Sequence, residues 1–277
     1  MQDSLRTAFF EDGAVLVKGL LDKDQLARCR EAFDWAVENH SPHAFRMFDG
    51  TSQQSHVDNA NPLAKDRLEE LVASLPFGQL FASLWGSEHV WYFAEEIFLK
   101  TGGHGSRTLW HQDTAYLPWA GSHWANAWIS FESVPKKNAL EIIRGSHRGP
   151  RYDGTTFRDP NDPTQPLHGH NHLPRLPDIE AQRLVNPQAF DVLSWATEPG
   201  DVVLLHPGSL HGGAPVDKDF PDRHTFVFRF FGDDASFHPL PEPSNSGYPK
   251  QGFLFRKELS TLNAGDFFRH STFRQLV

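Results

Sequence analysis

Two histidines and one aspartate constrain the fold of this chain more than any other feature. His111 and Asp113 are separated by a single residue, and His211 follows a hundred residues later. Such a His-x-Asp pair with a distant histidine is typical of sites where two imidazoles and one carboxylate bind one face of iron(II) and leave the opposite face open. Arg223 follows His211, and its planar guanidinium suits a carboxylate of a bound cosubstrate. The fold must therefore bring two distant segments together.

The sequence contains a second His-x-Asp pair, His56 and Asp58. This pair lies in a polar stretch without strand-like neighbours, and we interpret it as a surface loop. His111 and Asp113 instead follow the apolar approach of an expected strand, where side chains two residues apart point to the same side. The context therefore favours the later pair as the metal motif.

The third ligand and the carboxylate anchor each have two candidates. His211 precedes two glycines, which allow the backbone to approach a bound ligand closely, so we prefer it to His206. We interpret His206 as a core or pocket histidine. Arg223 and Arg229 compete as the anchor, and we choose Arg223 because it is nearer to His211 in sequence. Arg229 is then a second inward arginine that pairs with an acid.

Composition indicates a globular protein and excludes some classes of function. The net charge of −9 argues against a general nucleic-acid-binding protein. The single cysteine, Cys29, cannot form an internal disulfide, which fits a reducing compartment. No run of about eighteen apolar residues is present to span a membrane, and the N-terminal residues do not show the basic region and apolar run of a secretory signal. We therefore expect a cytoplasmic protein with no nucleic-acid or membrane partner.

The pattern along the chain predicts a mainly β (α+β) fold, a double-stranded β-helix or cupin-like jelly roll, with N-terminal helices packed outside the sheet. Helices are expected at 22–39, with Asp22 as the N-terminal cap, and at 62–85, the latter broken by Pro76. Short apolar runs predict strands at 14–20, 90–93, 97–100, 108–113, 125–134, 140–143, 201–206 and 225–231.

We expect a single domain over residues 1–277. Its parts are a mostly helical region at 1–89, a jelly-roll core at 90–235 and a C-terminal extension at 236–277. Within the core, residues 148–190 show little periodicity and are rich in Pro, Asp, His and Arg. Because loops of this length inside compact domains are often functional, we interpret 148–190 as an insert that is a candidate lid.

Several segments together resemble the phytanoyl-CoA dioxygenase (PhyH) family of iron(II)- and 2-oxoglutarate-dependent oxygenases. The resemblance covers most of the chain, and no single segment carries it. The segments are 9–20 (FFEDGAVLVKGL), 110–113 (WHQD), 127–131 (AWISF), 138–140 (NAL), 145–147 (GSH), 199–206 (PGDVVLLH) and 211–212 (HG).

The resemblance implies a set of cofactors and the residues that bind them. It implies iron(II) on His111, Asp113 and His211, with 2-oxoglutarate and oxygen as cosubstrates. It also assigns the distal carboxylate of 2-oxoglutarate to Arg223, and the cosubstrate pocket to Thr108 and Trp128. Relatives often carry a hydroxyl residue two positions after the distal histidine, but this chain has Gly213, so one cosubstrate contact must come from elsewhere. Halogenating relatives replace the metal-binding carboxylate, so Asp113 implies that this chain hydroxylates, desaturates or otherwise oxidises a small organic substrate. Among these reactions we expect hydroxylation.

Residues near the motif are candidates for a substrate pocket that excludes water. They are Trp110, Tyr116, Trp119 and Arg229. Two alternatives to this function remain. One is a cupin-like metal enzyme that does not use 2-oxoglutarate and has no need of a carboxylate anchor. The other is a non-catalytic ligand-binding jelly roll, which has no need of all three metal ligands. The residues do not identify the substrate or the oligomeric state.

Overall fold

The computed structural model describes residues 2–52, 54–105, 107–157, 159, 161–169, 173–240, 255 and 257–277. Its α-helices are α1 (Gln2–Asp12), α2 (Lys23–Glu38), α3 (Lys65–Ala73), α4 (Phe77–Trp85) and α5 (Ile179–Val185). Its strands are β1 (Ala14–Val17), β2 (Phe45–Met47), β3 (Ser55–Asn59), β4 (Val90–Lys100), β5 (Thr108–His111), β6 (Trp119–Ala120), β7 (Trp124–Ser130), β8 (Leu140–Ile143), β9 (Val192–Leu193), β10 (Val202–Leu205), β11 (His211–Gly213), β12 (Arg223–Gly232), β13 (Ser236–Phe237) and β14 (Arg274–Gln275).

Two antiparallel sheets form the architecture. The larger has the strand order β1-β10-β7-β12-β4-β3-β2, with β14 added beside β4, and the smaller has the order β5-β11-β8-β9. Side chains from both sheets line a common cavity. This arrangement confirms the predicted jelly roll, since most neighbours in each sheet are distant in sequence.

The strand β12 lies at the centre of the larger sheet, between β7 and β4. Its alternating pattern divides it into two faces, as expected for a strand buried on both sides. Phe226, Phe228 and Phe230 pack into the main hydrophobic core, whereas Arg223 and Val227 face the cavity. The strand therefore connects the core that stabilises the fold to the cavity.

The N-terminal helices cover the outer face of this sheet, as predicted. Phe33 of α2 and Phe77 and Phe81 of α4 belong to the same hydrophobic core as the phenylalanines of β12. The predicted cap of α2 is present, because the Asp22 side chain accepts a hydrogen bond of 2.8 Å from the backbone N–H of Gln25. The helices therefore cover one face of the larger sheet, and the cavity lies on its other face.

Two strand predictions were wrong in detail. Residues 90–93 and 97–100 were expected to be separate pieces, but β4 runs unbroken over Val90–Lys100. The acids at its centre obscure the pattern; Glu95 is buried and accepts hydrogen bonds from the backbone of Asn61 and the hydroxyl of Tyr92. Buried acids of this kind survive inside a sheet because they are hydrogen-bonded.

The earlier His-x-Asp pair is in a strand, not in the surface loop that was predicted. His56 and Asp58 lie on β3, which pairs with β4. The Asp58 carboxylate is buried and accepts hydrogen bonds from both the backbone N–H and the hydroxyl of Ser41. Because these hydrogen bonds satisfy the buried carboxylate, this strand forms without the apolar alternation that sequence analysis relies on.

The 148–190 segment is described except at 158, 160 and 170–172. It includes α5, whose Arg183 and Glu180 form ion pairs close to the smaller sheet. Its function as a lid stays a prediction. Within the described residues, no helix has the length and apolar character needed to cross a bilayer.

The packing of β12 predicts a large contribution from Phe228. Because this ring is fully buried between helices and sheet, Phe228→Ala should lower the free energy of unfolding by about 3–5 kcal/mol. Denaturant-induced unfolding measures this change. Phe267→Ala is the matched control, because that ring is 69% exposed and its loss should change stability by about 0.5 kcal/mol or less. Equal effects in the two variants would contradict this packing.

Candidate metal centre

The pairing of β5 with β11 places the two motif histidines side by side. His111 and His211 are direct partners in this antiparallel ladder, and their ring centroids are 4.2 Å apart. The Nδ1 atom of His111 is 2.8 Å from the carbonyl oxygen of Leu109, and that of His211 is 2.9 Å from the carbonyl oxygen of Ser209. Since a carbonyl only accepts, each Nδ1 is the donor, and each Nε2 keeps its lone pair for a metal ion.

Asp113 completes the cluster from the turn that follows β5. The chain enters a 3-10 turn at Asp113–Ala115, and the backbone N–H of Asp113 donates to the carbonyl of Pro207 at 2.8 Å. Its Oδ1 atom lies 3.4 Å from His111 Nε2 and 3.7 Å from His211 Nε2. One ligand atom from each of the three residues lies within 4.8 Å of the others.

These separations suit a metal ion. Bonds of about 2.0–2.2 Å to nitrogen and oxygen ligands require adjacent ligand atoms to lie roughly 3 Å apart, so only small movements are needed. The donor set of two imidazoles and one carboxylate is that of non-haem iron(II) enzymes. All three residues are buried. The residues present therefore fit iron(II).

Two side chains next to the ligands hold them in place. Asn126 on β7 donates from Nδ2 to Oδ2 of Asp113 at 2.5 Å, which leaves Oδ1 directed toward the histidines. Gln112 donates to the carbonyl of Gly208 and accepts from the backbone of Tyr152. It therefore ties the turn before β11 to the start of the 148–190 segment. Such neighbours orient ligands and tune their affinity for metal.

Burial and mutual charge shift the pKa values of the ligands in opposite directions. Burial, followed by the nearby His111, lowers the pKa of His211 to about 4, so this imidazole is neutral and able to bind a metal at physiological pH. Burial acts to raise the pKa of Asp113, but His211, the hydrogen bond with His111 and the charge of Arg229 hold it below its ordinary value. The aspartate is therefore ionised, as metal binding requires.

A glycine next to His211 allows the two strands to approach. A Cβ atom at Gly212 would lie 2.8 Å from the carbonyl oxygen of Thr108 on β5. Any larger residue would push β11 away from β5 and separate His211 from His111. This steric requirement explains why a glycine follows His211 in the sequence.

The ligands open into a small cavity between the two sheets, with about 40 Å³ of space for water-sized molecules. Of the residues expected around a cosubstrate, Arg223, Thr108 and Trp128 line this cavity. Sequence analysis did not identify four further polar lining residues. They are Glu96, Lys100, Asn126 and Thr225. Each faces the cavity because side chains alternate between the two faces of β4, β7 or β12. This alternation identifies cavity residues only once the pairing register of those strands is known.

Arg223 is held rigidly but is not neutralised. Its guanidinium lies 4.8 Å from the centroid of the Trp128 ring, and its Nη1 donates to the carbonyl of Asn138 at 2.6 Å. Its Nε and Nη2 atoms are buried and have no hydrogen-bond partner among the described residues. Burial lowers the pKa of Arg223 to about 9. Two orphaned donors of a planar fork are what an incoming carboxylate would satisfy.

The structure does not bring Arg229 into the cavity lining. Its guanidinium forms a buried ion pair with Glu96 and donates to the Asn59 side chain at 3.0 Å. Arg229 thus pairs with an acid, as the sequence analysis expected if Arg223 is the anchor. Its charge still acts on Asp113, as the lowered pKa of that residue indicates.

The predicted aromatic residues are separated by the fold. Trp110 points away from the cavity, where its Nε1 donates to Glu180 at 2.5 Å. Trp119 stacks on Trp124 in a separate hydrophobic cluster. Tyr116 remains near the metal ligands, with its ring centroid 6.0 Å from that of His111. Because β5 alternates, Trp110 and His111 cannot face the same side.

His206 is a buried histidine outside the cluster, as the sequence analysis expected. Its Nδ1 accepts a hydrogen bond from the backbone of Gly208, and its Nε2 is 3.2 Å from the carbonyl of Gly121. Burial, followed by His147, lowers its pKa to about 4. Both ring nitrogens are therefore occupied by the backbone.

The fold and this centre define a class, the jelly-roll enzymes with a two-histidine, one-carboxylate metal site. The profile of the phytanoyl-CoA dioxygenase (PhyH) family matches residues 9–224, and the chain belongs to this family. Membership confirms the predicted enzyme class, a dioxygenase dependent on iron and 2-oxoglutarate. A search among curated proteins found no match.

Solved structures of similar fold cover nearly the whole chain. The α-ketoglutarate-dependent carbocyclase SnoK from nogalamycin biosynthesis is 18% identical with a TM-score of 0.70, over 100% of this chain and 97% of SnoK. The epimerase SnoN, solved with Fe3+, α-ketoglutarate and nogalamycin RO, is 16% identical with a TM-score of 0.68, over 100% and 98%. EvdO2 from Micromonospora carbonacea var. aurantiaca, solved with 2-oxoglutarate, is 18% identical with a TM-score of 0.56, over 87% and 94%. At these identities the likeness establishes the fold.

The hydrogen bond between Asn126 and Asp113 predicts an effect on metal affinity. Asn126→Ala removes the donor that orients the carboxylate, so the dissociation constant for Mn(II), measured by electron paramagnetic resonance, should rise about 10- to 100-fold. Ser130→Ala is the control, because Ser130 is buried on the same face of β7 but bonds to Glu132. Unchanged affinity in Asn126→Ala would show that this bond does not position the ligand.

Proposed function

We propose that this protein is an iron(II)- and 2-oxoglutarate-dependent dioxygenase that hydroxylates a C–H bond of a small organic substrate. Succinate and carbon dioxide are the other products. The observation that carries this proposal is the presence, in one cavity, of three convergent ligand atoms and a buried arginine with two orphaned donors. A metal site alone would fit several reactions, whereas the arginine adds a place for a dicarboxylic cosubstrate.

His111, Asp113 and His211 hold the metal in this proposal. Iron(II), when bound with 2-oxoglutarate and oxygen, supplies the oxidative decarboxylation of the cosubstrate and the oxidation of the substrate. The protein contributes ligands with fixed orientation, since both Nδ1 atoms and Oδ2 of the aspartate are occupied by other groups. Three ligands on one face leave coordination positions open on the other.

Arg223 binds the distal carboxylate of 2-oxoglutarate, and its guanidinium packs against the face of the Trp128 ring. Thr108 lines the same part of the cavity. Gly213 lacks the hydroxyl that relatives often place two residues after the distal histidine, and Thr225 of the neighbouring sheet supplies a hydroxyl to the cavity instead. This assignment accounts for every residue expected around the cosubstrate.

The substrate approaches beside Tyr116 and Phe157. The Phe157 ring is 5.1 Å from His111 and 5.7 Å from Tyr116, and together these rings limit access of water to the metal. The Tyr116 hydroxyl accepts from the backbone N–H of Thr155 and donates to the carbonyl of the same residue. The start of the 148–190 segment is thereby fixed over the centre, which supports its interpretation as a cover.

The retained metal-binding carboxylate argues against halogenation, and hydroxylation is the oxidation that we propose. SnoK is a carbocyclase and SnoN is an epimerase, so this fold also accommodates reactions other than hydroxylation. Mass spectrometry of the product distinguishes them, because hydroxylation adds one oxygen atom. A cupin-like enzyme that does not use 2-oxoglutarate would give turnover without succinate, and a non-catalytic binding protein would give neither.

Loss of a metal ligand should abolish the reaction. His111→Ala and Asp113→Ala each remove one of three donors, so neither variant should form succinate from 2-oxoglutarate in the presence of iron(II). Succinate is quantified across a panel of candidate substrates. His206→Gln is the matched control, a buried histidine with both ring nitrogens bonded to backbone, and it should retain turnover. Wild-type rates in either ligand variant would refute the assigned centre.

Loss of Arg223 should weaken cosubstrate binding specifically. Arg223→Ala is expected to reduce the affinity for 2-oxoglutarate by about 2–5 kcal/mol, the usual loss for one partner of a buried charge pair. The dissociation constant is measured calorimetrically with the Mn(II)-loaded protein. An unaltered constant in this variant, together with weaker binding in Arg229→Lys, would move the anchor to Arg229.

A further inference from the structure

The metal-binding Asp113 begins a tight turn, residues 113–117, which we call the Asp113 turn. Inside this turn, the backbone N–H groups of Tyr116 and Leu117 donate to the carbonyl of Asp113 at 2.9 and 3.1 Å. The carbonyls of Thr114 and Ala115 are instead met by side chains from the 148–190 segment. The backbone that carries the metal-binding carboxylate is therefore held from a distant part of the chain.

Two side chains of that segment donate to the Asp113 turn. Arg151 donates from Nη2 to the carbonyl of Thr114 and, at 3.4 Å, to that of Leu117. The Nε2 atom of His168 is 2.8 Å from the carbonyl of Ala115, and it is the donor because a carbonyl only accepts. These acceptors directly follow the metal ligand in sequence, so the two side chains restrict the conformation of the backbone next to Asp113.

Both donors are suited to a fixed position. Burial lowers the pKa of Arg151 to about 10, still above neutral pH, so its guanidinium stays charged. Hydrogen bonds from a charged donor are stronger than those between neutral groups. His168 is 3% exposed, and its Nδ1 atom has no hydrogen-bond partner among the described residues. The bond to the turn is thus the one that orients the His168 ring.

Residues 151–168, described except at 158 and 160, fold back on themselves, and we call them the 151–168 hairpin. The backbone N–H of Leu167 donates to the carbonyl of Gly154 at 2.8 Å. The buried Asp153 carboxylate accepts from the backbone N–H of His168 at 2.9 Å. These bonds close the base of the hairpin, so both donors reach the Asp113 turn as parts of one unit.

A glycine lets the hairpin lie directly against the turn. A Cβ atom at Gly154 would lie 2.8 Å from Cζ of the Tyr116 ring. The Tyr116 hydroxyl is bonded to both backbone groups of Thr155, the next residue of the hairpin. A side chain at position 154 would separate the two elements.

We propose that Arg151 and His168 are positioning residues for Asp113. They hold the turn in the conformation that directs its carboxylate to the two histidines, so the 151–168 hairpin is part of the metal centre. The inference rests on the metal centre of the proposed function and goes beyond it, because it assigns metal affinity to side chains that are not ligands. The effect is reciprocal: a hairpin that favours metal binding is itself stabilised, by the same free energy, when metal binds.

Manganese binding to substituted proteins is the first test. Arg151→Met and His168→Leu remove the two donors, and each should raise the dissociation constant for Mn(II), measured by electron paramagnetic resonance, about 10-fold. His168→Gln keeps an N–H group that can donate to the same carbonyl, so it should bind Mn(II) as tightly as the wild type. Arg175→Met is the control, because Arg175 lies in the same 148–190 segment but is 56% exposed and pairs with Asp162.

Hydrogen exchange tests the reciprocal effect without any substitution. Mn(II) should slow exchange at the backbone N–H groups of Thr155, Leu167 and His168, which are hydrogen-bonded within the hairpin or to the turn. The N–H groups of Gln182 and Asn186 in α5 are hydrogen-bonded within that helix and should exchange at an unchanged rate. Mass spectrometry of peptides from the two regions, with and without Mn(II), measures both.

The possible failures are distinguishable. If Arg151→Met and His168→Leu bind Mn(II) as the wild type does, or if Mn(II) leaves exchange in the hairpin unchanged, the hairpin only packs against the centre and the proposed function stands. If His168→Gln binds as weakly as His168→Leu, the bond to the turn is not the cause. If the wild-type protein does not bind Mn(II), the metal centre itself fails. Thermal unfolding identifies any variant that does not fold, and the exchange measurement then decides alone.

Discussion

The register between β5 and β11 is the constraint on which the centre depends. Direct pairing of His111 with His211 brings together two residues that are a hundred positions apart in sequence. A shift of β11 by one residue would turn the His211 imidazole to the face of the sheet opposite His111. Gly212 permits this close pairing, because a side chain there would collide with the backbone of β5. The metal site is therefore a property of strand pairing as much as of ligand chemistry.

The larger sheet lines one side of the cavity, and the charge of its lining residues changes from one end of the cavity to the other. Three rows of inward side chains cross the pairing of β4, β12 and β7. The first is Lys100 with Arg223, the next is Phe98 with Thr225, and the third is Glu96, Val227 and Trp128. Positive charge is thus concentrated at one end and the metal ligands at the other. A dicarboxylate with one end at the metal and one at the cations fits this gradient.

Features that depend on a few neighbouring residues could be predicted from the sequence. Features that depend on which strands pair with each other could not. The His-x-Asp motif, the cap at Asp22 and the break at Pro76 each lie within a few residues, and the structure has all three. The continuity of β4 and the strand at His56 were missed, because buried acids there replace apolar alternation. Lys100 and Asn126 gave no local signal, since their positions in the cavity follow from which strands are neighbours.

Two arginines on one strand illustrate how a binding group differs from a structural one. Arg223 and Arg229 are both nearly inaccessible, and both belong to β12. Arg229 has Glu96 and Asn59 as partners, so its charge is balanced within the protein. Arg223 has a carbonyl and an aromatic face, which hold its orientation but leave its charge unbalanced. Because an unbalanced buried charge destabilises the free protein, its persistence is best explained by a ligand that supplies the missing anion.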